Sequence, residues 1–197
     1  MTLDLLFGLV IFAFVSSITP GPNNLMLMAS GANFGFRRTI PHMLGVALGF
    51  VLMVILMGAG LSQVFDRYPI THDVLTLLAV LYLLYLAWKI ATAAPSVGRT
   101  STARPFSFLQ AAAFQWVNPK AWFMAVTAIS VYSPSQSFAG VLMVAAIFGA
   151  VNLPAVSSWT VIGQQMARFL TNPDRLRAFN WTMAGLLVAS LYPVLWP

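Results

Sequence analysis

No cysteine and no glutamate occur among the 197 residues, and aspartate occurs only at Asp4, Asp66, Asp73 and Asp174. The lack of thiols excludes disulfides, thiolate metal sites and thiol-disulfide electron relay. The scarcity of acids removes the clustered carboxylates that metal centres and acid–base enzymes draw on, so neither a metal nor another cofactor is expected. Charge of either sign is sparse at 7%, against about 25% in a soluble domain. Meanwhile 59% of the residues are hydrophobic and the mean hydropathy is +0.84. Such a chain cannot cover its own surface with polar groups, and it reads as an integral all-α membrane protein. The net charge of +6 is not a nucleic-acid footprint, because the basic residues are scattered between apolar segments and form no stripe. Met1 to Phe14 contains no Lys or Arg and no small-residue cleavage site follows. It reads as a retained first helix, not a signal peptide.

What is present is long apolar runs. A spanning helix needs about 20 mostly apolar residues. Six stretches meet or approach that: Leu3–Ala32 (interrupted), Met43–Leu61, Val74–Ile90, Phe106–Ser130 (interrupted), Phe138–Gln164 and Phe179–Leu195. The connections, "GFRRTIPH", "SQVFDRYPITHD", "TAAPSVGRTSTARP", "YSPSQS" and "RFLTNPDRLR", are too short for a second domain. One transmembrane unit, residues 1–197, is expected. Cytoplasmic loops carry the excess of Lys and Arg. Arg37, Arg38, Lys89, Arg99, Arg104, Arg168, Arg175 and Arg177 fall in or beside the first, third and fifth connections, whereas Arg67 stands alone on the opposite side. Both termini are therefore expected outside the cytoplasm.

Two of the runs are broken by polar residues. In "SITPGPNNLM", Pro20, Gly21, Pro22, Asn23 and Asn24 follow sixteen nearly pure hydrocarbon residues. Proline removes a helical hydrogen bond and clashes with an earlier carbonyl. In hydrocarbon the freed groups cost several kcal/mol each unless protein covers them or water fills a cavity. Such a break belongs at a cavity. The fourth run repeats it in "FQWVNPKAWFM", where Asn118 and Pro119 precede Lys120. Pro20 and Pro119 lie 99 residues apart, half the chain. Each half (about 1–98 and 99–197) then holds three spans with the break in its first. Three being odd, the halves enter the membrane in opposite directions. Paired interrupted helices in an inverted repeat point to a transporter's binding site. The expected fold is six transmembrane helices as two inverted three-helix repeats, with helices 1 and 4 broken.

Lys120 is an ionisable residue inside a span and so a candidate functional group. It could bind substrate, or satisfy carbonyls freed in the fourth helix. Asn152, beside Pro154, Ser157 and Ser158 in "NLPAVSSW", is either a third polar contribution to the cavity or part of a serine repair of the kinked backbone. His42 reads as an interfacial histidine at the mouth of the second span. Tyr82, Tyr85 and Trp88 with Lys89 read as an aromatic belt with a snorkelling lysine. Gly45 and Gly49 have the spacing that lets helix backbones approach closely, within one chain or in a homo-oligomer.

"TPGPNN" ending the first helix, a glycine-bearing second span after a short basic loop, "YLLYLAWK" in the third and "NPKAW" in the fourth resemble the LysE/RhtB superfamily of amino-acid exporters over essentially the whole chain. The pattern is most similar to its homoserine/threonine and cysteine/O-acetylserine branches. The resemblance implies efflux of amino acids across a bacterial inner membrane driven by the proton-motive force. It carries over to Pro20, Gly21, Pro22 and Asn23, and to Asn118, Pro119 and Lys120. No carboxylate lies within a span, so Lys120 or His42 would be left to carry a coupling proton. The same absence favours neutral amino acids over lysine or arginine as substrate, because nothing offsets a cationic side chain. Export of basic amino acids, an intramembrane enzyme and a packing subunit are the alternatives. The enzyme reading lacks a nucleophile–base pair, since His42 and His72 fall at opposite faces.

Overall fold

A computed structural model of the chain describes residues 1–61, 63, 67–68, 70–93, 104–133 and 137–192. Among the described residues all regular structure is helical. Among the described residues eight bounded α-helices follow one another: α1 Leu3–Ile18, α2 Pro22–Phe34, α3 Phe36–Leu56, α4 Ile70–Ala91, α5 Phe108–Phe114, α6 Pro119–Tyr132, α7 Phe138–Met166 and α8 Pro173–Ala189. A π turn, Met57–Leu61, extends α3, and a 3-10 turn, Gln115–Val117, leads from α5 towards α6.

Three segments are each long and apolar enough to cross a bilayer: Phe36–Leu61, Asp73–Ala91 and Phe138–Met166. The first, at 26 residues, is about 39 Å long at 1.5 Å per residue, which exceeds a hydrocarbon core of about 30 Å. A fourth crossing arises if α1 and α2, bent by 55° at their junction, count as one. The expected fourth span is divided into the seven residues of α5, the 3-10 turn and the 14 residues of α6. The expected sixth is α8, 17 residues long. Much of the outward surface is hydrocarbon, including Phe7, Ile11, Leu48, Leu52, Leu77, Leu81 and Phe123. This is the surface of a protein solvated by lipid.

Two expected boundaries move. "GFRRTIPH" is not a loop: α3 starts at Phe36 and carries Pro41 within it. Gly35, with φ of +78°, turns the chain directly from α2 into α3, a left-handed conformation that glycine adopts without a Cβ penalty. In "RFLTNPDRLR" the last helix begins at Pro173, six residues before Phe179. Asn172 caps it by accepting from the Asp174 N–H at 2.8 Å, and proline suits the first helical position. The 98/99 repeat boundary, Asp66 and Arg99 lie outside the described residues.

Packing centres on α7, which lies along α2, α3 and α1. One apolar core joins α1, α3, α6 and α7 through Leu9, Phe50, Met53, Ala125, Val144 and Phe148. A second joins α2, α4 and α8, with Phe114 of α5, through Met26, Leu83, Leu86, Met183 and Leu187. The glycine pair on α3 works inside the chain. A Cβ on Gly45 would meet the Phe108 carbonyl and Ala111, and one on Gly49 would lie 2.6 Å from the Ala112 Cα. α3 therefore rests directly on the backbone of α5. Of the aromatic belt, Tyr85 and Trp88 are exposed as expected, while Tyr82 turns inward on Phe114 at 5.7 Å between ring centroids. Lys89 places its ammonium 5.0 Å from the centroid of Phe106.

Candidate functional site

The first break is a complete accounting of backbone carbonyls. A helix leaves its last four C=O groups without helical partners. Of those in α1, the Val15 carbonyl accepts from the Thr19 N–H at 3.1 Å, and that of Ser16 accepts from the Thr19 hydroxyl, also at 3.1 Å. The Ser17 carbonyl accepts from Asn24 Nδ2 at 2.9 Å, and Ile18 from the Trp159 indole N–H at 3.1 Å. In the linker, Thr19 accepts from Asn24 Nδ2 at 2.8 Å and from Lys120 Nζ at 2.7 Å. Pro20 accepts from Lys120 Nζ at 3.4 Å. Side chains from α2, α6 and α7 thus replace the hydrogen bonds that the prolines remove. The chain then re-enters helix at Gly21 and Pro22, and α2 starts with no side-chain cap.

The second break is built differently. Asn118 is the N-cap of α6: its Oδ1 accepts from the Lys120 N–H at 3.2 Å, with Pro119 at the first helical position. One turn earlier, Gln115 is fully buried and exchanges amide hydrogen bonds with Asn23, at 2.9 Å and 3.3 Å. Gln115 also donates to the Ala111 carbonyl at 2.9 Å. The two breaks therefore meet twice, once through the Asn23–Gln115 pair and once through Lys120. The methylene stem of Lys120 lies over Gly21, where a Cβ would stand 2.9 Å from Cδ. Glycine at 21 leaves room for that stem to pass.

Between the breaks lies a cavity of about 30 Å³, room for about two water molecules. Its polar wall is Ser16, Ser17, Asn23, Asn24, Gln115, Asn118, Lys120 and Asn152, and its apolar wall includes Val46, Phe50, Met124 and Val156. Gly21 is on it too, while Pro20, Pro22 and Pro119 shape the backbone behind it. Asn152 reaches in from α7, donating from Nδ2 to Ser17 Oγ at 3.0 Å, and its Oδ1 is buried without a partner. Ser157 and Ser158 bond back to the Leu153 and Ala155 carbonyls, at 2.7 Å and 2.6 Å. Asn152 is thus part of the wall, whereas the serines bond back within α7 to carbonyls other than that of Ala150, the one Pro154 frees.

His42 stands apart from this wall. It is fully buried, not interfacial, with its ring 5.3 Å from that of Phe106 and neither nitrogen hydrogen-bonded. It lies one helical turn from Val46 of the cavity wall. Burial follows because α3 begins at Phe36, so position 42 falls in its second turn under α5 and not at a loop mouth. Ser16, Ser17 and Gln115 line the cavity without having been expected. Gln115 had a visible signal, an amide in the apolar run "AAAFQWV" three residues before Asn118. The serines close an otherwise apolar helix and carry no such mark. Among the described residues no group of three or more His, Cys, Asp or Glu side chains is placed to hold a metal.

The model of the LysE type translocator family matches residues 14–191. A cysteine/O-acetylserine efflux protein of Escherichia coli K12 is 32% identical over 193 residues, covering 95% of this chain and 96% of its own. The protein of the same name from Klebsiella pneumoniae is 29% identical over 197 residues, covering 95% of each chain. No solved structure matches.

Proposed function

Because this chain belongs to the family of LysE type translocators, we propose that it exports neutral amino acids or close derivatives, of the size of cysteine, O-acetylserine, threonine or homoserine. The observation that carries this reading is the cavity at the two breaks. Its wall offers four asparagines, a glutamine and two serines but no acid, and its one charged group, Lys120, is already held by the Thr19 and Pro20 carbonyls. A zwitterion with a short neutral side chain suits such a wall, whereas a second cationic group would find no anion. The substrate-binding residues are then Gly21, Asn23, Asn24, Asn118 and Asn152, with Pro20, Pro22 and Pro119 setting the backbone. Lys120 positions the break.

The protein sits in the bacterial inner membrane. Six crossings, made by α1 with α2, α3, α4, α5 with α6, α7 and α8, form two inverted repeats, with both termini on the outer side. Pro22 and Pro119 support the repeat, each opening the helix that follows a break. The Lys and Arg asymmetry supports the orientation, and a C-terminal alkaline-phosphatase fusion is expected to be active. Alternating access of one repeat against the other opens this cavity to each side of the membrane in turn.

The decisive assay is counterflow in proteoliposomes with radiolabelled threonine, cysteine, homoserine and lysine. Exchange of the neutral substrates is expected, with lysine at background. Preferential lysine exchange would overturn the substrate class, and no exchange of any would overturn transport.

Coupling is to protons, and His42 is the side chain assigned to it, because Lys120 is engaged at the break. An unpartnered buried imidazole adds little to stability, since replacing it by an apolar group leaves no orphaned partner. His42→Leu is therefore expected to keep its melting temperature and its counterflow, yet to lose uphill efflux driven by an imposed pH gradient. Unchanged gradient-driven efflux would remove His42 from the coupling path.

A further inference from the structure

One polar atom of the cavity wall is fully buried without a hydrogen-bond partner. Asn152 is 5% exposed, and its Oδ1 has no hydrogen-bond partner, although its Nδ2 is fixed on Ser17 Oγ at 3.0 Å. A buried acceptor without a donor is destabilising unless something supplies one. Asn23 and Gln115 are spent on each other, Asn24 Nδ2 on two carbonyls, and Asn118 Oδ1 on an N–H, and none of these four residues has a fully buried amide atom left without a partner. Opposite in character is the start of α2, a 13-residue helix that opens at the same cavity with Gly21 as its N-cap and no capping side chain. Its uncapped first turn carries the positive end of a helix dipole and suits an anion.

The cavity therefore presents a buried unmet acceptor and an uncapped positive helix pole. Resting on the reading of amino-acid export, we propose that this pair sets the orientation of the cargo. Asn152 Oδ1 accepts a hydrogen bond from the α-ammonium, and the first turn of α2 receives the α-carboxylate. Recognition of the α-ammonium then comes from Asn152 on α7, outside both proline motifs. Ser17 acts as a positioning residue, because it holds the amide nitrogen and so turns the oxygen away from itself.

The test is counterflow of L-serine by the full-length protein in proteoliposomes, competed with glycerate (hydroxyl in place of the ammonium) or ethanolamine (no carboxylate). Wild type is expected to prefer L-serine to each by more than tenfold. Asn152→Leu removes the acceptor at similar volume. It is expected to weaken L-serine at least tenfold and leave glycerate within twofold, so that discrimination between them collapses. Asn152→Asp restores an acceptor and is expected to keep that discrimination at wild-type level or above, which decides the matter even if the leucine variant fails to insert. Three results overturn the assignment while leaving transport intact: equal losses for L-serine and glycerate in Asn152→Leu, loss of discrimination in Asn152→Asp, or collapse of the preference over ethanolamine instead. Absence of L-serine, threonine and cysteine counterflow in the wild type overturns the export reading itself, and this assignment with it.

Discussion

Lys120→Met is expected to abolish efflux while the protein still inserts in the membrane. The lysine ammonium donates to the Thr19 carbonyl at 2.7 Å, the Thr19 hydroxyl at 2.9 Å and the Pro20 carbonyl at 3.4 Å. Methionine matches the length of the stem and removes every one of these donors. The Pro20 carbonyl loses its only described side-chain partner, whereas Thr19 keeps Asn24. Thr19 and Pro20 are exposed, so losing this donor loosens the linker without unfolding the two apolar cores. Transport suffers more than stability, because the same contact joins the two breaks across the cavity. Transport of radiolabelled threonine should fall at least a hundredfold in Vmax, with membrane abundance within twofold of wild type. Asn24→Leu removes the other donor to Thr19, so the double variant should be destabilised by more than the sum of the singles, as expected for groups sharing a partner. Wild-type efflux by Lys120→Met would show that the carbonyl clamp is dispensable. A lost preference for L-serine over ethanolamine, at unchanged Vmax, would instead make the lysine a ligand for the substrate carboxylate.

The location of the site was readable because its cause is local. Proline has no N–H whatever surrounds it, so "TPGPNN" and "NPKAW" mark broken backbone from composition alone, and hydrocarbon makes broken backbone expensive. Asn152, though far away in sequence, was visible for the same reason, as an amide in an apolar run. What the sequence could not show was which orphan meets which donor. Trp159 reads as one more aromatic in an apolar helix, yet its indole caps the Ile18 carbonyl 141 positions away. Lys120 announced a functional group, but whether its charge met substrate or backbone depended on α1 and α6 lying side by side. His42 was misjudged because Pro41 looked like a helix boundary. Within α3 the proline forfeits one hydrogen bond in the second turn, and packing on α5 outweighs that local cost.

Gly163→Ala is expected to be the most damaging single methyl group in the chain. A Cβ at 163 would fall on the carbonyl oxygen of Met28 and within 3.0 Å of the Ala32 nitrogen; one at Gly31 would fall on the Thr160 carbonyl oxygen. The obstacles are backbone atoms of α2 and α7, which cannot rotate aside as a side-chain tip would. The two helices have to move apart. Overpacking of this kind costs about 1–3 kcal/mol, occasionally more, and here it falls on the most extensive helix contact in the protein. A drop in melting temperature of roughly 6–12 °C corresponds to the upper end of that range, and Gly31→Ala should match it. Gly185 supplies the control. It lies within α8, and an added Cβ there would meet nothing beyond its own helix within 4 Å, so alanine there should be neutral or add up to about 1 kcal/mol through helix propensity. The functional consequence is as sharp as the structural one, because α2 opens at one side of the cavity and α7 brings Asn152 to the other. Separating them widens the gap between the two poles proposed to hold the substrate. Detergent-stabilised Gly163→Ala should therefore show a raised KM for L-serine beyond what its lost abundance explains. A normal melting temperature and KM would mean that α2 and α7 are not held at backbone distance in the working protein.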